Sequence, residues 1–395
     1  MNNSSTELHT LNKASNVRPI KILHVVGYMH RGGIETWLMH VLRNIDRNLF
    51  QIDFMVHRPE SYEYNEEIRS LGCRIIISPQ IDWKKWWNYG TNFQRILEKY
   101  GPYDVVHSHV DLASGNIVRL AKNAGVPVRI VHAHNVKSPH ATAKWKNRLL
   151  GAWLKLSIDR YATVGLACSC DAAVNMFGSR WKADRRWQIL YYGLDLTPFQ
   201  KKVEPTKVRA ELDIPADAFV IGHVGRFAPQ KNHRFLIEIA AEIAKQEPKM
   251  RLLLVGNGLL RPEIENRVVQ LGLTNRVVFA GTRSDVHRLM LSAMDLFLFP
   301  SYYEGLGLVL IEAQAAGLPC VFSDIVPKEA DVVLPLIERL SLSQSASEWA
   351  QAILAQKKAR SSIKHSEALS ILRNHSPFNI EHSVKNLTNV YSNSI

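Results

Sequence analysis

Glu304 and Glu312 are carboxylates separated by seven residues, with glycines at 305 and 307 between them. They belong to the stretch DLFLFPSYYEGLGLVLIEAQAAGLPCVFSD, Asp295 to Asp324. Its pattern predicts a buried strand over 296–299, a narrow loop, a helix, and a second buried strand over 320–322. Glycine lets backbone approach an anion closely, and the N–H groups that open a helix are donors to it. Glu304 falls before that helix, at the mouth of the strand, and Glu312 falls more than a turn inside it. Carboxylates on either side of an anion-binding helix start suit a ligand with phosphate in its middle and hydroxyls at both ends. Two glutamates near a helix are ordinarily solvated. Here Leu306, Leu308, Val309, Leu310 and Ile311 surround them, and an unpaired carboxylate buried in such a setting is costly. Glu312 therefore needs a partner, and a nucleotide-sugar has the right chemistry.

Fixed positive charge comes from Arg226 and Lys231 in GRFAPQKN, just past a predicted strand over 219–224. Charge-assisted bonds from such groups to phosphate are strong. His132 and His134 end another predicted strand in HAHN, and HSH puts His107 and His109 in the strand before it. A histidine at a strand mouth can bond a hydroxyl or phosphate, or carry a proton, although alone it is more often structural. No Asp-x-Asp stands on a strand end and no cluster has zinc-like spacing. No metal and no cofactor are therefore expected, and neutralising a diphosphate falls to Arg226, Lys231 and helix N–H groups. Cys73, Cys168, Cys170 and Cys320 lie in apolar, strand-like contexts and read as reduced, buried thiols of a cytoplasmic protein.

The elements that must hold these residues alternate strand and helix twice over. A strand over 20–26, the loop Gly27 to Gly33 containing Gly32-Gly33, and a helix over 34–45 open a parallel α/β sheet. Alternation continues to about residue 195, breaks at Gly193 to Pro198, and restarts at Phe219. This divides the chain into a polar, disordered lead-in over 1–19, a first lobe over 20–198, a second over 199–375, and a helix over 376–395 returning to the first. A length of 395 residues suits two domains. The loop is not GxGxxG, which disfavours a dinucleotide dehydrogenase. A net charge of +13 asks for an anionic partner, but no nucleic-acid module is present.

These pieces together resemble the retaining glycosyltransferases of family 4, over about residues 20 to 330. The likeness rests on Gly32-Gly33, the His134 strand end, GRFAPQKN, Gly256-Asn-Gly258 and EGLGLVLIE, with HRGGIETWLMHVLRNID, HAHN, GHVGRF and SLSQSASEWA similar to enzymes of bacterial exopolysaccharide and capsule clusters. The resemblance implies the GT-B fold, two facing Rossmann-like parallel-sheet domains with a cleft between them. It implies that Arg226 and Lys231 hold the diphosphate of a nucleotide-sugar donor, helped by the backbone of Gly305, Leu306, Gly307 and Leu308. Glu312 would bond the ribose, Glu304 and His134 the transferred sugar, and Gly32 and Gly33 would line the gap where acceptor meets donor. A UDP-linked donor and retention of configuration are implied likewise. The segment Ile325 to Ala330 departs from the family's glycine-rich turn.

A lipid-linked oligosaccharide acceptor fits three basic, aromatic stretches of the first lobe: Lys144 to Leu156, Asp82 to Trp87 and Arg180 to Trp187. The first places Trp145, Leu149, Trp153 and Leu156 along one helical side, as a helix lying on an anionic membrane surface would. No run of eighteen apolar residues predicts a span. A nucleotide-sugar epimerase of the same fold and a non-catalytic nucleotide-sugar binding subunit are the alternatives. The second would be favoured by a missing cation or carboxylate, and all four are present.

Overall fold

The computed structural model describes residues 18–58, 62–78, 86–136, 145–359 and 363–394. Residues 1–17 of the expected lead-in lie outside them. Seven strands build the first sheet: β1 (Ile20–Val26), β2 (Phe50–Val56), β3 (Arg74–Ile77), β4 (Val105–Ser108), β5 (Val128–Ala133), β6 (Val164–Ala167) and β7 (Trp187–Ile189). All pair in parallel in the order β3-β2-β1-β4-β5-β6-β7. Six more build the second: β8 (Phe219–Val224), β9 (Met250–Val255), β10 (Val277–Gly281), β11 (Leu296–Phe299), β12 (Cys320–Ser323) and β13 (Ile337–Leu340). These run parallel in the order β10-β9-β8-β11-β12-β13. The edge strand β13 is one the sequence did not announce.

Parallel strands buried on both faces read as continuous apolar runs, and β11 (LFLF) and β12 (CVFS) are buried throughout. Helices cover the faces. In the second lobe, helix Leu308–Ala315 buries Leu308, Leu310 and Ile311. Each sheet reverses strand order once, between β1 and β4 in the first lobe and between β8 and β11 in the second. Crevices beyond the carboxyl ends of strands at such a point are where open α/β sheets bind ligands. The loops after β1, β8 and β11 at these points carry Gly32-Gly33, Arg226 with Lys231, and Glu304 to Gly307, while His134 follows the neighbouring β5.

The C-terminal helix Ile380–Asn393 packs on the first lobe, against helix Gly33–Asn44. Trp37 Nε1 donates to Ser383 Oγ at 3.0 Å, and Tyr391 is buried beside β1 and β4. Leu194 pairs with Asn379 where the chain leaves the first lobe and where it returns. All four cysteines are free; Cys73, Cys168 and Cys320 are buried, but Cys170 is only half-buried and opens a helix rather than lying in a strand.

Candidate functional site

The loop after β8 folds into a short turn, Pro229–Lys231, and Asn232 then takes a left-handed conformation (φ 54°) before helix His233–Ala244. Asparagine tolerates that region better than most side chains. The reversal leaves Lys231 over the end of β11, with Nζ 4.5 Å from the Phe299 ring centroid and 2.7 Å from Glu304 Oε1. Both partners are largely buried, with 16 % and 7 % of their side chains exposed. Gln230 Nε2 donates to Glu304 Oε2 at 3.2 Å and to Tyr303 O at 2.9 Å, and Tyr302 N donates to Gln230 O. The two second-lobe loops are thus one unit. Burial makes this ion pair expensive to assemble, so it is poor evidence of a stabilising role and better evidence of a functional one.

Arg226 stays exposed, and its Nη1 donates to the Tyr28 hydroxyl of the first lobe at 3.1 Å. Among the described residues it has no carboxylate partner, whereas Lys231 is neutralised by Glu304. Those three side chains leave one uncompensated positive charge facing the first lobe.

Gly305 and Gly307 serve different needs. A Cβ on Gly305 would lie 1.8 Å from the carbonyl oxygen of His134, and Ser169 Oγ donates to Gly305 O at 2.5 Å. The loop is pressed against the first lobe where a side chain has no room. Gly307 is left-handed (φ 84°) at the start of helix Leu308–Ala315, without a capping side chain. The first N–H groups of that helix have no intrahelical acceptor. Glu312 has no hydrogen-bond or ion-pair partner among the described residues. It is half-buried by area, yet protein crowds it enough for desolvation to push its carboxyl up to about 7. Burial raises the Tyr64 phenol of the first lobe, and the charge of Glu312 adds to that rise.

In the first lobe, Gly32 lies under Glu35, whose Oε2 would be 2.4 Å from a Cβ there, while Gly33 has open space around it. Glu35 faces His30 Nδ1 at 3.4 Å. His134 is buried, with Nε2 2.8 Å from His109 Nδ1 and Nδ1 bonded to the Tyr192 hydroxyl. Burial lowers its pKa to about 3, so the ring is neutral and both nitrogens are engaged. In this state it is not a proton carrier, and it reaches a ligand only by exchanging a partner. Sequence reasoning passed over Tyr28, Glu35, Gln230 and Asp111. Asp111 is a non-glycine residue at φ 45° after β4, bonded to Asn135 Nδ2, with its carboxyl raised by desolvation although the residue as a whole stays exposed. From the sequence, His107 and His109 compete with His132 and His134 for one role and are placed to pack beside them. The structure packs all four together with His24, and the triads His24/His107/His109 and His109/His132/His134 have ring nitrogens within 4.8 Å of one another, the grouping among the described residues that has the residue types to hold a metal.

Models of two families match the chain: glycosyl transferases group 1 over residues 205–366, and a glycosyl transferase 4-like domain over 32–185. The chain is 39 % identical over 334 residues to the putative glycosyltransferase EpsF of Bacillus subtilis (strain 168), covering 84 % of this chain and 86 % of that one. This chain belongs to glycosyltransferase family 4. It is also 30 % identical over 235 residues to an Escherichia coli UDP-Gal:alpha-D-GlcNAc-diphosphoundecaprenol alpha-1,3-galactosyltransferase, covering 58 % of this chain and 60 % of that one. The crystal structure of Anabaena Alr3699/HepE in complex with UDP and glucose superposes with a TM-score of 0.77 at 21 % identity, covering 95 % of this chain and 100 % of that one. The fold is that of the GT-B glycosyltransferases; Gly32-Gly33, GRFAPQKN and EGLGLVLIE lie at the two switch points, while His134 follows β5 and Gly256-Asn-Gly258 follows β9.

The aromatic stretches of the first lobe part company. Trp181 and Trp187 are buried, Trp187 stacked on Phe177 at 4.6 Å, so Arg180 to Trp187 offers no aromatic surface and that part of the membrane expectation fails. In helix Trp145–Tyr161, Leu149, Trp153 and Leu156 are exposed (63 %, 41 % and 69 %). The side chains over 82–87 and 144–147 fall outside the described residues. Among the described residues no helix is long and apolar enough to cross a membrane.

Proposed function

We propose that the chain is a retaining, metal-independent glycosyltransferase that moves a hexose or N-acetylhexosamine from a nucleotide-sugar, UDP-linked, to a lipid-linked oligosaccharide of exopolysaccharide or capsule assembly at the cytoplasmic membrane face. The observation that carries this is the second-lobe unit: Lys231 paired with Glu304, and, among the described residues, Arg226 free of any carboxylate and Glu312 left without a partner beside an uncapped helix start. Arg226 and Lys231 grip the diphosphate with the backbone of Gly305 to Leu308. Glu312 accepts from the ribose hydroxyls, and Glu304 orients the sugar. UDP in the HepE complex and the undecaprenol-linked acceptor in the galactosyltransferase's name support the donor and acceptor classes.

Departure of the nucleoside diphosphate leaves an oxocarbenium-like sugar, and fixed cations stabilise the charge growing on the phosphate without reorganising. The acceptor hydroxyl attacks the face the diphosphate leaves, and a phosphate oxygen takes its proton. Closure of the two lobes excludes water while this happens. The exposed stripe Leu149, Trp153 and Leu156 rests on the membrane that holds the acceptor. The test is incubation with labelled nucleotide-sugars in EDTA, with and without bacterial lipid extract, and NMR of the product linkage. Transfer into lipid with the donor's anomeric configuration is expected. A free altered nucleotide-sugar, an inverted product or a requirement for divalent metal would overturn it.

A further inference from the structure

Five histidines and two tyrosines of the first lobe form one unbroken hydrogen-bonded file. Beginning at the Tyr192 hydroxyl, the file passes to His134 Nδ1, and His134 Nε2 lies 2.8 Å from His109 Nδ1. His109 Nε2 is 2.8 Å from His24 Nδ1, and His24 Nε2 is 3.4 Å from the Tyr391 hydroxyl. That hydroxyl is 2.9 Å from His107 Nδ1, and His107 Nε2 is 3.2 Å from His132 Nδ1. His132 Nε2 ends the file, buried and without a partner among the described residues. The rings of His24 and His109 are 5.1 Å apart and those of His109 and His134 5.0 Å, with planes inclined by 26° and 18°. This is the spacing of imidazoles joined head to tail by N–H···N bonds, not of lone pairs converging on one metal.

A neutral imidazole has one N–H and one bare nitrogen. Placing hydrogen on one ring therefore decides its placement on the next. The Tyr391 hydroxyl passes the decision on, accepting from one side and donating to the other. Followed link by link, the file has two arrangements: all five rings carry hydrogen on Nδ1, or all five carry it on Nε2. Burial keeps the rings neutral, lowering His24 and His134 to about 3 and His107, His109 and His132 well below their ordinary value.

The ends select between the two. Hydrogen on Nε2 would leave His132 with an orphaned buried donor, whose perpendicular neighbour Trp37, 5.2 Å away, offers at most a weak π acceptor. Hydrogen on Nδ1 leaves a bare acceptor there, the commoner kind of buried orphan. At the other end, Cys168 Sγ donates to His134 O at 3.6 Å, and the Tyr192 hydroxyl is bonded to Cys168. Tyr192 can thus donate to sulfur and accept from His134 Nδ1.

We propose that His109, His24, Tyr391, His107 and His132 are positioning residues that act through this relay to hold His134 as its Nδ1–H tautomer. Only its catalytic consequence rests on the proposed sugar-facing role of His134. In that tautomer Nε2 accepts a hydrogen bond and has no proton to give a leaving group.

Ring-nitrogen NMR of the full chain labelled with [15N]histidine, assigned with single His→Gln variants, tests it. At pH 7.5 five neutral Nδ1–H rings are expected. A mixture of tautomers among the five, or one protonated ring, overturns the relay without any variant. Tyr192→Phe removes the acceptor at the head of the file, so either arrangement then orphans one buried donor, and all five rings as far as His132 should populate both tautomers. Shifts confined to His134 would overturn coupling. A shifted His134 together with unaltered kcat would retire the sugar-facing role and leave the relay standing.

Discussion

At the scale of single residues, the site is defined by charges that lack the partners a finished protein core would give them. Lys231 and Glu304 satisfy one another, but Arg226 and Glu312 do not find carboxylate or cation among the described residues. Lys231→Ala should cut kcat by at least about a hundredfold, the scale of losing a donor aimed at developing charge. The buried Glu304 keeps its Gln230 bond, and far-UV dichroism should show the fold intact. Near-normal turnover would remove Lys231 from the mechanism. Glu312 gives a prediction with a sign. Its folded carboxyl holds its proton up to about 7, above the unfolded value, so its contribution to stability is complete below the ordinary carboxylate range and lost as pH climbs through 7. Glu312→Gln should therefore raise the Tm at pH 8 by a few degrees, roughly the effect of 1 kcal/mol, while raising the donor KM. In the parent protein, nucleotide affinity should improve from pH 6 to 8 as the carboxylate ionises, and that dependence should vanish in Glu312→Gln. Stability and binding moving in the same direction would argue that Glu312 has a structural role.

Elements decide how these residues meet, and here the sequence was readable in proportion to its local patterning. Glycine loops after apolar strands named both switch-point crevices, because a turn that admits an anion needs residues of recognisable type. β13 escaped because IERL carries two charges and lies at a sheet edge, where its side chains are only half-buried. The histidine file escaped for another reason. HSH and HAHN have the period-two spacing that puts 107 with 109, and 132 with 134, on one face of the sheet. Nothing local says that His24 and Tyr391, 367 residues apart, complete it. The close approach of the Gly305 loop to the His134 carbonyl was equally invisible, being a contact between lobes. Gly305→Ala should cost about 1–3 kcal/mol by overpacking, measured by urea denaturation, and should depress kcat. A neutral substitution would mean that the two lobes are not held together there. On the outer face, Trp153→Glu with Leu156→Lys should abolish flotation with anionic liposomes while leaving transfer to a soluble acceptor unchanged. Flotation equal to that of the parent chain would dissociate this helix from the membrane.

The whole molecule is two sheets that meet where the loop after β11 presses on the end of β5, tied by a C-terminal helix that returns to the lobe where the chain began. That tie has a consequence in acid. The five histidines of the file have folded pKa values depressed by burial, so the unfolded chain binds protons that the folded one cannot. Their stability is full above the unfolded value near 6.5 and falls as pH drops toward the folded values, by up to about 1.4 kcal/mol per pH unit for each ring. Urea midpoints should drop steeply between pH 6.5 and 5, and less steeply in His24→Gln. A flat profile would mean that the rings are not held neutral in the fold. The larger claim is that the second lobe grips a diphosphate with its own cations. Calorimetry of UDP and UMP binding in EDTA measures this directly. UDP should bind at least tenfold tighter than UMP, Lys231→Ala should shrink the difference, and Arg226→Ala with Lys231→Ala should erase most of it. Equal affinity for the two nucleotides, or a preference undiminished by the loss of both cations, would contradict it.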